Sequence, residues 1–337
     1  MRTGSGSGLI TGPNGFLART LARWLVGGTA LCAPALAVPT WADGMRSLVH
    51  GTDGARIPGR VCPSYDAPAA EAGSDSRPQL RDQLVTGSGT ARGGRLAGRV
   101  AVVTGASSGI GRAVALELVT EGTTVVAIGR DETRLAAVAK EADGPGILVP
   151  EQLDLTDDAA RESFAAAFAE SYGPLDHLVH SAGGYVHGLV AESSLDDFDA
   201  QYAANVRAPF ALTRSLLPAL RAAGGSRGAD VVVVNSSQGV RAKGGTSQYA
   251  ATMHAMRAVA DSLREEVNAY GIRVCTIHLG RTATPLQEAI YAGERRVYRP
   301  ELLVQPEDVA QVVVSVLALR QTGEVTEIHM RPAKKDQ

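Results

Sequence analysis

The residues Thr104-Gly105-Ala106-Ser107-Ser108-Gly109-Ile110-Gly111 join a short apolar run, Val100 to Val103, to a segment with helical apolar spacing, Ile110 to Glu121. Glycines between a strand and a helix let backbone approach a pyrophosphate, and the free N–H groups that start the helix face its charge. A glycine triplet alone also describes a tight turn without ligand; its place after a strand and before a helix favours the dinucleotide reading. The end of the next apolar run, Ala127-Ile128-Gly129-Arg130, bears on which dinucleotide. A carboxylate there accepts hydrogen bonds from the adenosine ribose and repels a 2'-phosphate, whereas an arginine pairs with that phosphate. Gly129 stands where the acid would sit and Arg130 follows, so NADP(H) is expected and NAD(H) is the alternative. The bland reading of Arg130 is a solvated charge paired with Asp131 or Glu132.

Other reactive side chains read more plainly. His177, His180 and His187 lie close in sequence but lack convergent acidic or cysteine partners, so no metal site is expected there. Asp196, Asp197 and Asp199 suit the solvated, negatively charged start of a helix better than an acid/base pair.

The elements that must position these residues alternate. Val125 to Ile128, Leu178 to His180, Val231 to Val234 and Val274 to Ile277 repeat the apolar pattern of Val100 to Val103. Continuous β-branched runs describe strands buried on both faces. Leu135 to Lys140, Ala159 to Glu170, Phe198 to Leu220 and Ala250 to Asn268 carry apolar positions at helical spacing between them. The fold class expected is α/β, a doubly wound parallel sheet (Rossmann fold) in a single domain over residues 96–333.

The spacing Gly-x-x-x-Gly-x-Gly, preceded by Thr104, resembles the short-chain dehydrogenase/reductase family of compact single-domain type. Further matches follow in the family's order. Asp154, in Leu153-Asp154-Leu155, resembles its adenine contact; Ser181-Ala182-Gly183 stands where the family has Asn-Ala-Gly. Asn205 lies in Asn205-Val206-Arg207-Ala208-Pro209, Tyr249 opens Tyr249-Ala250-Ala251-Thr252-Met253, and Gly280-Arg281-Thr282-Ala283-Thr284-Pro285 resembles the segment that closes over a nicotinamide. The resemblance implies cofactor contacts from Thr104, Gly105, Ser107, Ser108, Gly109, Ile110, Gly111, Arg130, Asp154, Leu155, Ser181, Ala182, Gly183, Gly280, Thr282 and Thr284. It also implies a substrate lid at about 285–305, holding Leu286, Ile290, Tyr291, Arg295, Arg296, Tyr298 and Leu303.

The implied chemistry is hydride transfer between a nicotinamide and a carbonyl or alcohol carbon, with Tyr249 moving the oxygen's proton, a serine polarising the oxygen, and Asn205 completing the group. Two serines compete. Ser236 stands 13 positions before Tyr249, the commonest family separation, while Ser237 is the second serine after the strand, where the family usually places it; Ser237 is preferred. Four residues after Tyr249 the family has lysine, and this chain has Met253. Positions i and i+4 share a helical face, so a lysine there sits beside the phenol and lowers its pKa from about 10. Methionine has neither charge nor donor. His254 points roughly 140° away from Tyr249. Lys243 in the preceding loop is a conceivable substitute, and Leu279 replaces the usual proline before Gly280.

The expected function is an NADP(H)-dependent oxidoreductase for a small to medium carbonyl or secondary alcohol, impaired by Met253. A catalytically weak dinucleotide-binding sensor or scaffold is the alternative, and a nucleotide-fold methyltransferase fits worse.

Composition separates this domain from what precedes it. Residues 1–95 hold 16 of the 38 glycines and 7 of the 16 prolines without a sustained apolar period, so they are expected to be a poorly ordered leader. Within it, Arg19 and Arg23 followed by an apolar stretch to Val38 resemble a secretory signal, but Gly27, Gly28 and Pro34 break it, and export is not expected; Met45 is a conceivable later start. A net charge of -2 and a pI near 6.4 give no basic field for nucleic acid. No segment reaches the roughly 18 apolar residues of a membrane span. Cys275 is the only cysteine of the folded part, which fits a reducing cytoplasm. Ala-rich helices suit a homodimer or homotetramer.

Overall fold

The computed structural model describes residues 94–334. The expectations for residues 1–93, including the signal-like segment at 19–38, lie outside the described residues. From Val100 the chain alternates strand and helix: β1 (Val100–Thr104), α1 (Gly109–Thr120), β2 (Thr124–Gly129), α2 (Glu132–Glu141), β3 (Ile147–Gln152), α3 (Asp158–Tyr172) and β4 (His177–His180). There follow α4 (Leu195–Tyr202), α5 (Ala208–Arg227), β5 (Ala229–Ser236), α6 (Ser247–Val267), β6 (Ile272–Leu279), α7 (Pro285–Gly293), α8 (Pro306–Leu317) and β7 (Glu327–Met330).

The seven strands form one sheet in the order β3-β2-β1-β4-β5-β6-β7, every pair parallel. This is the doubly wound α/β fold expected. Because side chains alternate across a strand, β1 feeds two cores. Ala101 and Val103 pack with Leu118 of α1 and Val313 of α8, whereas Val100 and Val102 pack with Phe168 of α3, Leu216 of α5 and Met256 of α6.

Two strands were not among the apolar runs. β3 carries Pro150 and Glu151 and is half-exposed at one sheet edge, and β7 at the other edge is Glu-Ile-His-Met. Edge strands are not buried on both faces, so they lack the continuous run that marks central ones. The helix read as continuous from Phe198 to Leu220 is divided by a π-helical turn at Ala203–Arg207. Ser194 caps α4 by accepting from the N–H groups of Asp196 and Asp197, which sit in the first turn as the acidic residues a helix dipole favours.

At the opposite ends of the strands, buried Asp176 accepts from Arg99, Arg227 and the Val100 N–H, which holds the start of β1 to the start of β4.

Candidate active site

Strand order reverses between β1 and β4, and a crevice opens beyond the C-terminal ends of such strands. Four of the segments singled out in the sequence meet there. The glycine loop leaves β1, Ser181 to Gly183 leave β4, Ser236 ends β5, and Gly280 follows β6. Thr104 Oγ1 accepts from the N–H groups of Ser181 and Ala182 at 3.0 and 3.1 Å, so it ties the two walls of the crevice together.

The glycine loop has the shape that a diphosphate needs. Gly105 and Gly109 have φ of 68° and 54°, a region that favours glycine, and a Cβ on Gly111 would lie 2.4 Å from the Gly105 carbonyl oxygen. Ser108 is extended at the N-cap of α1, and its side chain makes no cap hydrogen bond. The N–H groups of the first turn, from Gly109 to Gly111, lack intrahelical partners as at any helix start, and Ile110 among them lines the crevice. These are observations a dinucleotide pyrophosphate fits.

Ser107 stands against Gly129, 3.2 Å from where a Cβ there would be, so a larger residue would crowd the loop. Arg130 is exposed, and its charge helps hold Asp154 below the usual carboxylate range, after the larger effects of the Thr156 backbone and hydroxyl donors. Asp131, one of the two acids that could pair with Arg130, caps α2 and pairs with Arg134 instead. Leu155 turns its side chain against the core, and its carbonyl accepts from Arg161. Arg130 and Asp154 lie outside the main cavity, at the C-terminal ends of β2 and β3.

That cavity, about 790 Å³, is lined by Ile110, Ser181, Asn205, Ser236, Ser237, Tyr249, Met253, Thr282 and Thr284, and by Leu286 and Ile290 of α7. Thr284 caps α7, and its methyl group would crowd a Cβ on Gly109, so the start of the expected lid rests on the glycine loop. Thr282 donates to the Gly280 carbonyl and forms a bridge with Val304.

Tyr249 lies in the first turn of α6. Burial pushes its phenol above the ordinary range, a hydrogen bond from Ser236 opposes this, and Tyr185 raises it further. The Ser236 oxygen accepts from Gln238 N–H at 3.1 Å, which orients it and leaves its hydrogen to donate. Ser237 is exposed and opens a 3-10 turn. Both serines line the cavity, and of the two it is Ser236 that acts on the phenol, while Ser237 begins the turn that follows β5.

Met253, 7% exposed, lies one turn after Tyr249, and its carbonyl accepts from Asn235. His254 points outward and bonds the Ala250 carbonyl. Lys243 lines the cavity, but the groups acting on the phenol, Ser236 and Tyr185, are both uncharged. Asn205 sits in the π-helical turn, and its amide is committed: Oδ1 accepts from Gly184 N–H, while Nδ2 donates to the Gly184 carbonyl and to Thr252 Oγ1. Thr252 in turn donates to the Tyr249 carbonyl, so Asn205 joins the loop after β4 to the turn holding the phenol. A π-turn in a helix frequently marks such a functional position.

Sequence reasoning missed Tyr185, whose ring meets Tyr249 edge-on at 4.9 Å, and the guanidiniums of Arg281 and Arg296 at the Tyr291 ring. An aromatic just after the glycines of the β4 loop was the one available signal for the first. The second joins the loop after β6 to the lid and leaves no local pattern.

No helix among the described residues is long and apolar enough to cross a membrane. Among known proteins, an uncharacterised oxidoreductase of Staphylococcus epidermidis is 29% identical over 69% of this chain and 97% of its own. An uncharacterised NAD-dependent oxidoreductase of Mycobacterium tuberculosis is 31% identical over 67% of this chain and 91% of its own. A metagenomic short-chain oxidoreductase, solved in complex with NADP, superposes with a TM-score of 0.61 at 29% identity, covering 72% of this chain and all of that one. The family model described as short chain dehydrogenase matches residues 99–295, more than half of the chain, and spans the glycine loop, Ser236 and Tyr249. With that loop, that pair and that sheet in one crevice, this oxidoreductase chain belongs to the short-chain dehydrogenase family.

Proposed function

We propose that the chain interconverts a small or medium carbonyl compound and its secondary alcohol with NADP(H), and that Met253 slows it. The observation that carries this reading is the Ser236–Tyr249 pair in the wall of the cavity, reached from the glycine loop on one side and from α7 on the other. A bound nicotinamide dinucleotide supplies or accepts the hydride. Tyr249 gives its phenolic proton to the carbonyl oxygen during reduction and takes it back during oxidation. Ser236 donates its hydrogen to the same oxygen as negative charge develops there. Asn205 holds the turn bearing the phenol through Thr252.

NADP(H) is favoured by exposed Arg130 beside a Gly129 that leaves no acid to repel a 2'-phosphate. NAD(H) stays the alternative cofactor. Exposed Leu195, Tyr202 and Phe210 on α4 and α5 support a homo-oligomer. Cys275 is a buried free thiol that burial pushes up to about 12, which suits the cytoplasm proposed for the chain.

Met253 also favours a second reading, a dinucleotide-binding protein without efficient turnover. One experiment separates the two: NADPH and NADH fluorescence titrations, followed by a panel of ketones, aldehydes and secondary alcohols with each cofactor. Tight NADPH binding with turnover on some substrate supports the enzyme; binding without turnover across the panel favours the sensor; no binding overturns both.

A further inference from the structure

β6 and β7 pair in parallel with His278 opposite His329 and Thr276 opposite Glu327. Residues two apart on a strand share a face, so Glu327 and His329 both lie beside His278. The two imidazoles are stacked with centroids 4.8 Å apart. Glu327 Oε1 is 3.5 Å from His278 Nε2, and its Oε2 is 3.7 Å from His329 Nε2.

The side chain of His278 is fully buried, and its tautomer follows from its neighbours. Nδ1 lies 3.3 Å from the Ser236 carbonyl oxygen, which can only accept, so the proton of a neutral ring sits on Nδ1. Nε2 then presents a lone pair. It has no hydrogen-bond partner among the described residues, and it faces a carboxylate oxygen, a second acceptor. A buried imidazole nitrogen without a hydrogen-bond partner, facing a carboxylate oxygen, is a place for a cation between them.

We propose that His278, Glu327 and His329 form a binding site for a divalent transition-metal ion such as Zn²⁺, which clips the four-residue edge strand β7 to β6. Two imidazoles and a carboxylate are a donor set that zinc takes. Metal–ligand bonds of about 2.1 Å at a tetrahedral angle place ligand atoms about 3.4 Å apart; one donor atom from each of the three residues lies within 4.8 Å of the others, so modest side-chain rotation closes the set. The supporting contacts are also those of a metal site. A backbone carbonyl holds the other ring N–H of His278, and Arg257 Nε donates to Glu327 Oε1 at 2.9 Å. The Arg257 charge opposes a cation, so the affinity expected is micromolar. The near-parallel rings direct their lone pairs side by side; His329, 58% exposed, turns to converge while His278 stays fixed. Solvent reaches Glu327 and His329, and water completes the coordination.

The test uses the full chain, stripped with chelator and titrated with Co²⁺ by visible absorption and with Zn²⁺ by calorimetry and thermal melting. Wild type is expected to take up one equivalent saturably, give the intense visible bands of tetrahedral Co²⁺, and melt at a higher temperature with Zn²⁺. His329→Ala and Glu327→Gln, at side chains that solvent reaches, should each weaken binding at least tenfold while the metal-free melting temperature stays near that of wild type. If either variant fails to fold, the other carries the comparison. No saturable uptake, or uptake unchanged in these variants because Cys32, His50 or Cys62 holds the ion, overturns the proposal.

Discussion

The hydroxyl of Ser236, at the end of β5, neighbours the phenol of Tyr249 in the first turn of α6 and acts on its pKa against burial. Ser236 opposes the upward push of burial, which means it favours the charged form of the phenol, and its hydroxyl is oriented by the Gln238 N–H it accepts from. Ser236→Ala is expected to lower turnover by about 10², the scale of losing one donor to a developing oxyanion. Ser237→Ala should leave turnover within a few-fold. Steady-state rates on one substrate check both, and equal losses would return the role to Ser237.

A second expectation concerns Arg130, the exposed cation after β2. Its Coulombic effect on Asp154 sets it near the end of β3, where the adenosine half of a dinucleotide reaches. Arg130→Ala should weaken NADPH by about 10- to 100-fold, the loss of a hydrogen bond between charged groups worth about 1.5–3 kcal/mol, and leave NADH nearly unchanged. Fluorescence titration with both cofactors measures this. Equal weakening would remove Arg130 as the discriminator.

The central strands were legible because Val231 to Val234 and their counterparts are buried on both faces, and burial writes a continuous apolar run. β3 and β7 were not, since Pro150, Glu327 and His329 sit at edges where solvent accepts polar side chains. The glycine loop and Tyr249 were legible because backbone space and a reactive group restrict residue type. The choice between Ser236 and Ser237 was not, because it depends on where β5 ends and the 3-10 turn begins, a boundary of one residue. The His278–Glu327–His329 cluster left no signal because parallel pairing joins residues about fifty positions apart.

His180 provides a test through pH. It is buried at the end of β4, Nε2 meets Thr213 Oγ1 at 2.8 Å, and the Thr213 hydroxyl donates to the Pro209 carbonyl. Thr213 therefore accepts from His180, whose Nδ1 has no partner among the described residues, and burial pushes the imidazole down to about 4. The unfolded chain takes this proton near 6.5 and the folded chain only near 4, so stability is full above 6.5 and falls as pH drops between these values. The loss at pH 4 from this group is roughly 3 kcal/mol. Urea unfolding from pH 7 to 4 should show that slope, and His180→Asn should make it shallower by one proton; His278, shifted in the same direction, contributes equally to both proteins. An unchanged slope would mean that His180 does not stay neutral.

The last expectation is that Met253→Lys raises the rate of alcohol oxidation at least tenfold at neutral pH. Alcohol oxidation needs the Tyr249 phenolate, and burial raises the cost of forming it, with only an uncharged serine in opposition. An ammonium four residues on shares the helical face of the phenol and favours its charged form. General acid/base assistance is worth about 10² to 10⁴ in rate, so restoring part of it is measurable. The sign with pH follows. In wild type the oxidation rate should climb with pH through and beyond the ordinary phenol range near 10, whereas in the lysine variant the climb should move to lower pH. Carbonyl reduction uses the protonated phenol, so its rate should be flat across neutral pH in wild type, begin its alkaline fall at lower pH in the lysine variant, and differ less between the two at neutral pH. Met253 is buried, and a long cation in its place carries a stability cost, so melting temperature must be read alongside turnover. A folded lysine variant that oxidises alcohols no faster than wild type would show that another group already tunes Tyr249; Lys243, in the wall of the same cavity, is then the residue to replace.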